Sequence, residues 1–156
     1  MGLLRFQKVY DRARRDAHGV KFGRGTTYFL GNSAAHAVSV YNAAKVYELL
    51  GTKAHAEALE EFSHLELFTL RGTDHVNVRS CFDTMRKGET LRDELTRGGY
   101  SASLIKTYSG SPHEQLFHGI FVAQLSVLKR AETLGLSEPR FLNGKERLRV
   151  SDAMIY

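Results

Sequence analysis

Between residues 3 and 18, apolar Leu4, Val9 and Ala13 recur among charged neighbours, a spacing that predicts an amphipathic helix. A glycine-rich stretch, GVKFGRG, follows. The run TTYFLG at 26–31 is β-branched, aromatic and apolar between glycines, which predicts a buried strand. It passes directly into NSAAHAVSVYNAAKVYELLG, where Ser33 stands as candidate cap of a helix ending near Gly51. A strand, a tight turn and a helix in that order open an α/β unit. The N-terminus of such a helix offers unpaired N–H groups to an anion.

The alternation continues along the chain. DHVNVRSCF (74–82) predicts a strand, KGETLRDELTRGG (87–99) a helix closed by glycines, and SASLIKTY (101–108) a further strand. HEQLFHGIFVAQLSVLKRAETLG (113–135) predicts a long apolar helix. Residues 52–62 are ambiguous, because Ala, Glu and Leu favour helix while a doubly wound order needs a strand there. Burial against partner strands overrides propensity, so KAHAEAL is assigned to a strand and EEFSH to a turn. Beyond Pro139 the chain reads as an extended tail. The expectation is a three-layer α/β fold, a doubly wound, mostly parallel sheet covered by helices on both faces. One domain spans 1–156: an N-terminal helix and loop (1–25), an α/β core (26–136) and a tail (137–156).

Composition changes this picture little. Hydrophobic residues make up 42% and charged residues 25%, ordinary for a globular protein. Cys81 is the only cysteine, which excludes an internal disulfide, and as an isolated thiol it reads as a small buried apolar residue. No apolar run is long enough to cross a bilayer, and MGLLRFQKVYDRARR has no signal-peptide core, so a cytoplasmic protein without membrane contact is expected. The net charge of +5 concentrates in the first 25 residues and in Lys145, Arg147 and Arg149. That balance suits an anionic ligand, a phosphorylated metabolite or nucleic acid, and equally a solvated surface.

On a helix from Ser33 to Leu50, Tyr41, Lys45 and Glu48 lie at i, i+4 and i+7 and share one face. For an arbitrary helix this is a surface ion pair and nothing more. Glu60, Glu61 and His64 likewise suit the exposed start of a helix, with Glu61 near its positive dipole end. His36, His55, His75, His113 and His118 stand at no metal-ligand spacing with Cys or a carboxylate, so neither metal nor cofactor is expected. There is no GxSxG, GxxxxGK[ST] or GxGxxG.

Taken in order, FLGNSAAHAVSVYNAAKVYELLGTKAHAEALEEFSHLELF resembles the sugar isomerase (SIS) domain family, most of all the second SIS domain of the isomerase half of glucosamine-6-phosphate synthase. That family shows a strand ending in Phe-Leu-Gly, a helix with Lys-x-x-Glu and a Gly-Glu-Leu-Lys-His turn. The intervals from Gly31 to Lys45, Lys45 to Glu48 and Glu48 to His64 match it without a gap. The likeness covers residues 26–147, with the Lys-x-x-Glu to His spacing its specific part. It implies a flavodoxin-like SIS fold that binds a phosphorylated sugar and works as a homodimer or with a second SIS domain. It further implies Glu48 as the base moving a proton between C1 and C2, with Lys45 polarising the sugar oxygens. His64 would assist ring opening from a partner subunit, and Glu61 would orient its turn. Lys145 is the nearest match to a tail lysine, displaced by one residue. Gly31, Asn32 and Ser33 are the candidate anion contacts at the helix N-terminus.

The departures are specific. Leu65 and Glu66 replace the family's Gly-Pro, Tyr41 replaces a glutamate, and the Ser/Thr phosphate loop has no counterpart, SGS at 109–111 being too short. Two function classes remain: a phosphosugar isomerase or a related aminosugar-phosphate deaminase or deglycase, and a non-catalytic phosphosugar-binding sensor or partner domain. Lys45, Glu48 and His64 favour the enzyme, and the missing loop favours the binder. Nucleic-acid binding rests on charge alone and is the weakest reading.

Overall fold

The computed structural model describes residues 3–80, 86–106 and 108–155. Four parallel strands, β1 (Thr27–Leu30), β2 (Ala54–Glu57), β3 (His75–Arg79) and β4 (Ala102–Ile105), form one sheet in the order β2-β1-β3-β4. Six α-helices accompany them among the described residues: α1 (Leu3–Asp16), α2 (Ala34–Lys45), α3 (Leu59–His64), α4 (Lys87–Arg97), α5 (Pro112–Thr133) and α6 (Lys145–Ile155). This is the doubly wound α/β architecture expected, with KAHAEAL supplying edge strand β2.

Side chains alternate along the strands and so build two cores. Phe29, Ala54 and Ile105 face Ala13 of α1, Ala43 of α2, Val46 and Leu50 just beyond it, and Val122 and Val127 of α5. Tyr28, Leu30, Val76 and Val78 face Leu59 and Phe62 of α3 and Leu95 of α4. α1 is held to α5 by edge-to-face rings, Phe6 on Phe117 and Phe121 and Tyr10 on Phe121, with Val9 and Ala13 buried beneath. Ser111 and Glu114 form a capping box that starts α5.

The sequence HVNVR alternates strictly. Val76 and Val78 enter the second core, while His75 and Asn77 carry a polar ladder. Asn77 bonds the backbone N–H and carbonyl of Lys21 at 3.1 and 2.9 Å and accepts from Ser103 Oγ at 2.9 Å. His75 meets the hydroxyls of Ser101 and Ser103 at 2.7 and 3.1 Å. This ladder ties the glycine-rich loop and β4 to β3.

Three expectations are corrected. EEFSH is not a turn but the body of α3, anchored by buried Leu59 and Phe62. Beyond Pro139 the chain is not extended: a 3₁₀ turn, Arg140–Asn143, leads into α6. Ser33 sits at the cap position of α2 with φ 52° and makes no side-chain capping bond. Cys81, and with it the end of the predicted third strand, lies outside the described residues.

Candidate functional site

α2 ends in an unusual way. From Val46 to Leu50 the backbone widens into a π-helical turn, closed at Gly51, whose φ of 63° suits glycine and whose N–H reaches Tyr47 O at 3.2 Å. Glu48 sits in the middle of this turn. Lys45, the last residue of α2, donates to Glu48 Oε2, and its Nζ lies 5.4 Å over the ring of Tyr41. Tyr41 is in turn fixed by α5, its hydroxyl accepting from Gln124 Nε2 at 2.8 Å. The three residues therefore share one face. The hydrogen bond to Glu48 raises the Lys45 pKa, burial opposes it, and the Glu48 charge and Tyr41 add to it. Both side chains remain open to solvent, Lys45 28% exposed and Glu48 46%. A carboxylate and an ammonium are thus presented side by side on a fixed support.

His64 is the last residue of α3 and is exposed. α2 packs on the first face of the sheet and α3 on the second, so Lys45 and Glu48 stand across the sheet from His64 within one chain. Beside His64, Leu65 is 64% exposed and Phe68 80%. Glu61 is exposed on the same short helix. Lys145 opens α6 and is exposed, but the 3₁₀ turn before it packs against the π turn, with Arg140 Cβ over Gly51.

The candidate anion contacts have structural duties as well. A Cβ on Gly31 would lie 2.8 Å from the backbone and Cβ of Ala35, so glycine lets α2 start directly against β1. Asn32 Oδ1 accepts from Leu59 N at 3.0 Å and satisfies a free donor at the start of α3. Ser33 is exposed, its hydroxyl free of a capping bond.

The carboxyl ends of β3 and β4, with the start of α2 and α5, border a small recess lined by Ala35, Arg79, Lys106, Gln115 and His118. The sequence reading did not select His118. It is buried, bonds Asp16 Oδ2 at 3.1 Å and leans on Tyr108. Burial lowers its pKa, against the raising effect of Asp16, and Arg79 and Arg12 lower it further. An apolar helix face carrying one histidine gives no sign of such a partner 102 residues away.

No protein-family model and no curated protein matches the sequence. Solved structures do match the fold. Glucosamine-6-phosphate deaminase from Thermotoga maritima superposes with a TM-score of 0.67 at 19% identity, over 83% of this chain and 42% of that one. Tagatose-6-phosphate ketose/aldose isomerase from Escherichia coli gives 0.66 at 20% identity, over 86% and 43%. A shorter protein of Escherichia coli gives 0.50 at 16%, over 82% and 89%. The chain has the fold of the SIS-type phosphosugar isomerases. It spans less than half the length of the first two.

Proposed function

We propose that this chain is a phosphosugar-binding SIS domain that acts on a hexose phosphate, as an aldose–ketose isomerase or an aminosugar-phosphate isomerase or deaminase. Glu48 is the proton-transfer base. The observation that carries this reading is the Lys45–Glu48 pair, steadied by Tyr41 and open to solvent at the π turn. Moving a proton between C1 and C2 needs a carboxylate above that bond and a cation beside the developing enediolate. Glu48 and Lys45 supply both.

His64 supplies the acid–base group for ring opening, delivered by a second copy of the chain or a second SIS domain. Its position across the sheet from Glu48, beside exposed Leu65 and Phe68, supports this division. Glu61 orients the His64 helix, Lys145 approaches from the tail, and Gly31, Asn32 and Ser33 line the start of α2. The setting is a cytoplasmic homodimer or paired domain. Glu48→Gln is expected to lower solvent deuterium incorporation at C1 or C2 of fructose 6-phosphate or glucosamine 6-phosphate by about 10²–10⁴-fold, with the fold unchanged by circular dichroism. Wild-type protein that incorporates no deuterium into any hexose phosphate sinks the enzyme reading.

The commitment of Asn32 Oδ1 to Leu59 favours a second reading, a non-catalytic phosphosugar-binding domain. Thermal shift with hexose phosphates separates the two: a silent binder gains stability without exchange.

A further inference from the structure

On the second face of the sheet, away from the Lys45–Glu48 pair, the fold assembles a second group of reactive side chains. His55 and Glu57 are two residues apart on β2 and therefore point the same way. β2 is an edge strand, so this side is covered only by what folds back over it. α3 does fold back, held by buried Leu59 and Phe62 and by the bond from Leu59 N to Asn32. The next turn, Glu66–Thr69, brings Glu66 over His55.

His55 Nε2 lies 2.8 Å from Glu66 Oε1 and 3.7 Å from Glu57 Oε2, and one ligand atom from each residue lies within 4.8 Å of the others. Glu57 is held in place by its other oxygen, which accepts from Ala58 N at 2.8 Å. Neither carboxylate meets a lysine or arginine among the described residues. Glu66 is 25% exposed and its Oε1 meets His55, while its Oε2 is shielded from solvent and has no hydrogen-bond partner among the described residues. Two carboxylates and an imidazole turned toward one point, with no cation between them, are short of positive charge.

We propose that His55, Glu57 and Glu66 form a binding site for a divalent transition-metal cation, zinc foremost. Ligands at about 2.0–2.1 Å from a tetrahedral ion lie roughly 3.4 Å apart. The two His55–carboxylate separations bracket that figure, so the ion enters by opening the His55–Glu66 hydrogen bond. One nitrogen and two carboxylate oxygens suit zinc, cobalt or manganese, whereas calcium prefers an all-oxygen shell and copper(I) prefers sulfur. Three protein ligands leave a position open to water or another donor. The ion would pin the turn that follows α3 onto edge strand β2. The sequence hides this site because Glu66 is brought to His55 only by the fold-back of α3.

The test uses the full chain, stripped with a chelator and titrated with Co²⁺. Visible d–d bands saturating at one equivalent, displaced by Zn²⁺, are expected, together with a Zn²⁺-dependent rise in melting temperature. Glu66→Gln and His55→Gln should each weaken binding by at least about tenfold while keeping the far-ultraviolet circular dichroism of the wild type. Absence of the bands and of the thermal shift in wild-type protein overturns the proposal without reference to any variant. Undiminished affinity in the double variant, or an equal shift with Mg²⁺, also overturns it. None of these readouts involves sugar chemistry, so failure here leaves the phosphosugar reading where it stands.

Discussion

Two asparagines, both fully buried, live under opposite rules. Asn77, at the centre of the sheet, accepts from Lys21 N and Ser103 Oγ and donates to Lys21 O. Asn42, on α2 one turn before Lys45, has neither its amide nitrogen nor its oxygen bonded among the described residues, and Ser39 Oγ beside it is likewise unpartnered there. Polar atoms inside proteins are normally satisfied, and exceptions call for an explanation. The strand ladder is satisfied because it fixes the register of the glycine-rich loop and β4 on β3. The helix beside the candidate site carries an unmet polar cost and then departs into a π turn, the kind of irregularity that concentrates where function is housed. The ladder meets its polar demands within the chain, whereas α2 leaves Ser39 and Asn42 without partners among the described residues.

That contrast is open to direct attack. Asn77→Ala takes the partner from both the N–H and the carbonyl of Lys21, while Ser103 keeps His75, and at about 1–3 kcal/mol for each unsatisfied buried group the expected loss is about 2 kcal/mol or more by urea unfolding. A loss below about 1 kcal/mol would remove the ladder's special standing. The same region should answer to acid. Burial, followed by the charge of Lys21, lowers the His75 pKa from 6.5 to about 4. The unfolded chain then binds the extra proton first, so stability is full above pH 6.5 and falls as pH drops toward 4, by up to about 3 kcal/mol. His118, also lowered, acts with the same sign. Urea midpoints across that window, with the His75 ring followed by NMR, check this; a His75 that protonates near its ordinary pKa contradicts it. The smallest change belongs to Asn42→Ala. With no bond to lose, it should cost less than about 1 kcal/mol or even stabilise, the relief of an unsatisfied amide offsetting the smaller side chain. A loss as large as that of Asn77→Ala would erase the distinction between the two regions.

Much of the fold was legible because its signals are local. The apolar block TYFL, the alternation of HVNVR and the long period of α5 each follow from a few neighbouring residues. The face shared by Tyr41, Lys45 and Glu48 was readable for the same reason, since i, i+4 and i+7 is a property of the helix itself. β2 was readable only against propensity, from the needs of a doubly wound order. α3 was missed because six residues do not sustain a helix alone; Leu59 and Phe62 are held by the second core, and a needed hydrogen bond comes from Asn32, 27 residues earlier. The tail was misjudged because Pro139 reads as a stop, whereas α5 has already ended at Thr133 and Pro139 stands at the start of the turn that leads into α6.

By itself the sequence determined the parallel α/β architecture, the strands and long helices, and the pairing of Lys45 with Glu48, all encoded at short range in side-chain periodicity. Only the tertiary structure decided that Glu48 sits in a π turn, that His64 lies across the sheet from it, and that His55, Glu57 and Glu66 converge at the edge strand. Those features depend on which face of the sheet each helix buries and on hydrogen bonds between segments far apart in sequence. No local pattern carries that information, because such contacts exist only once both cores have closed.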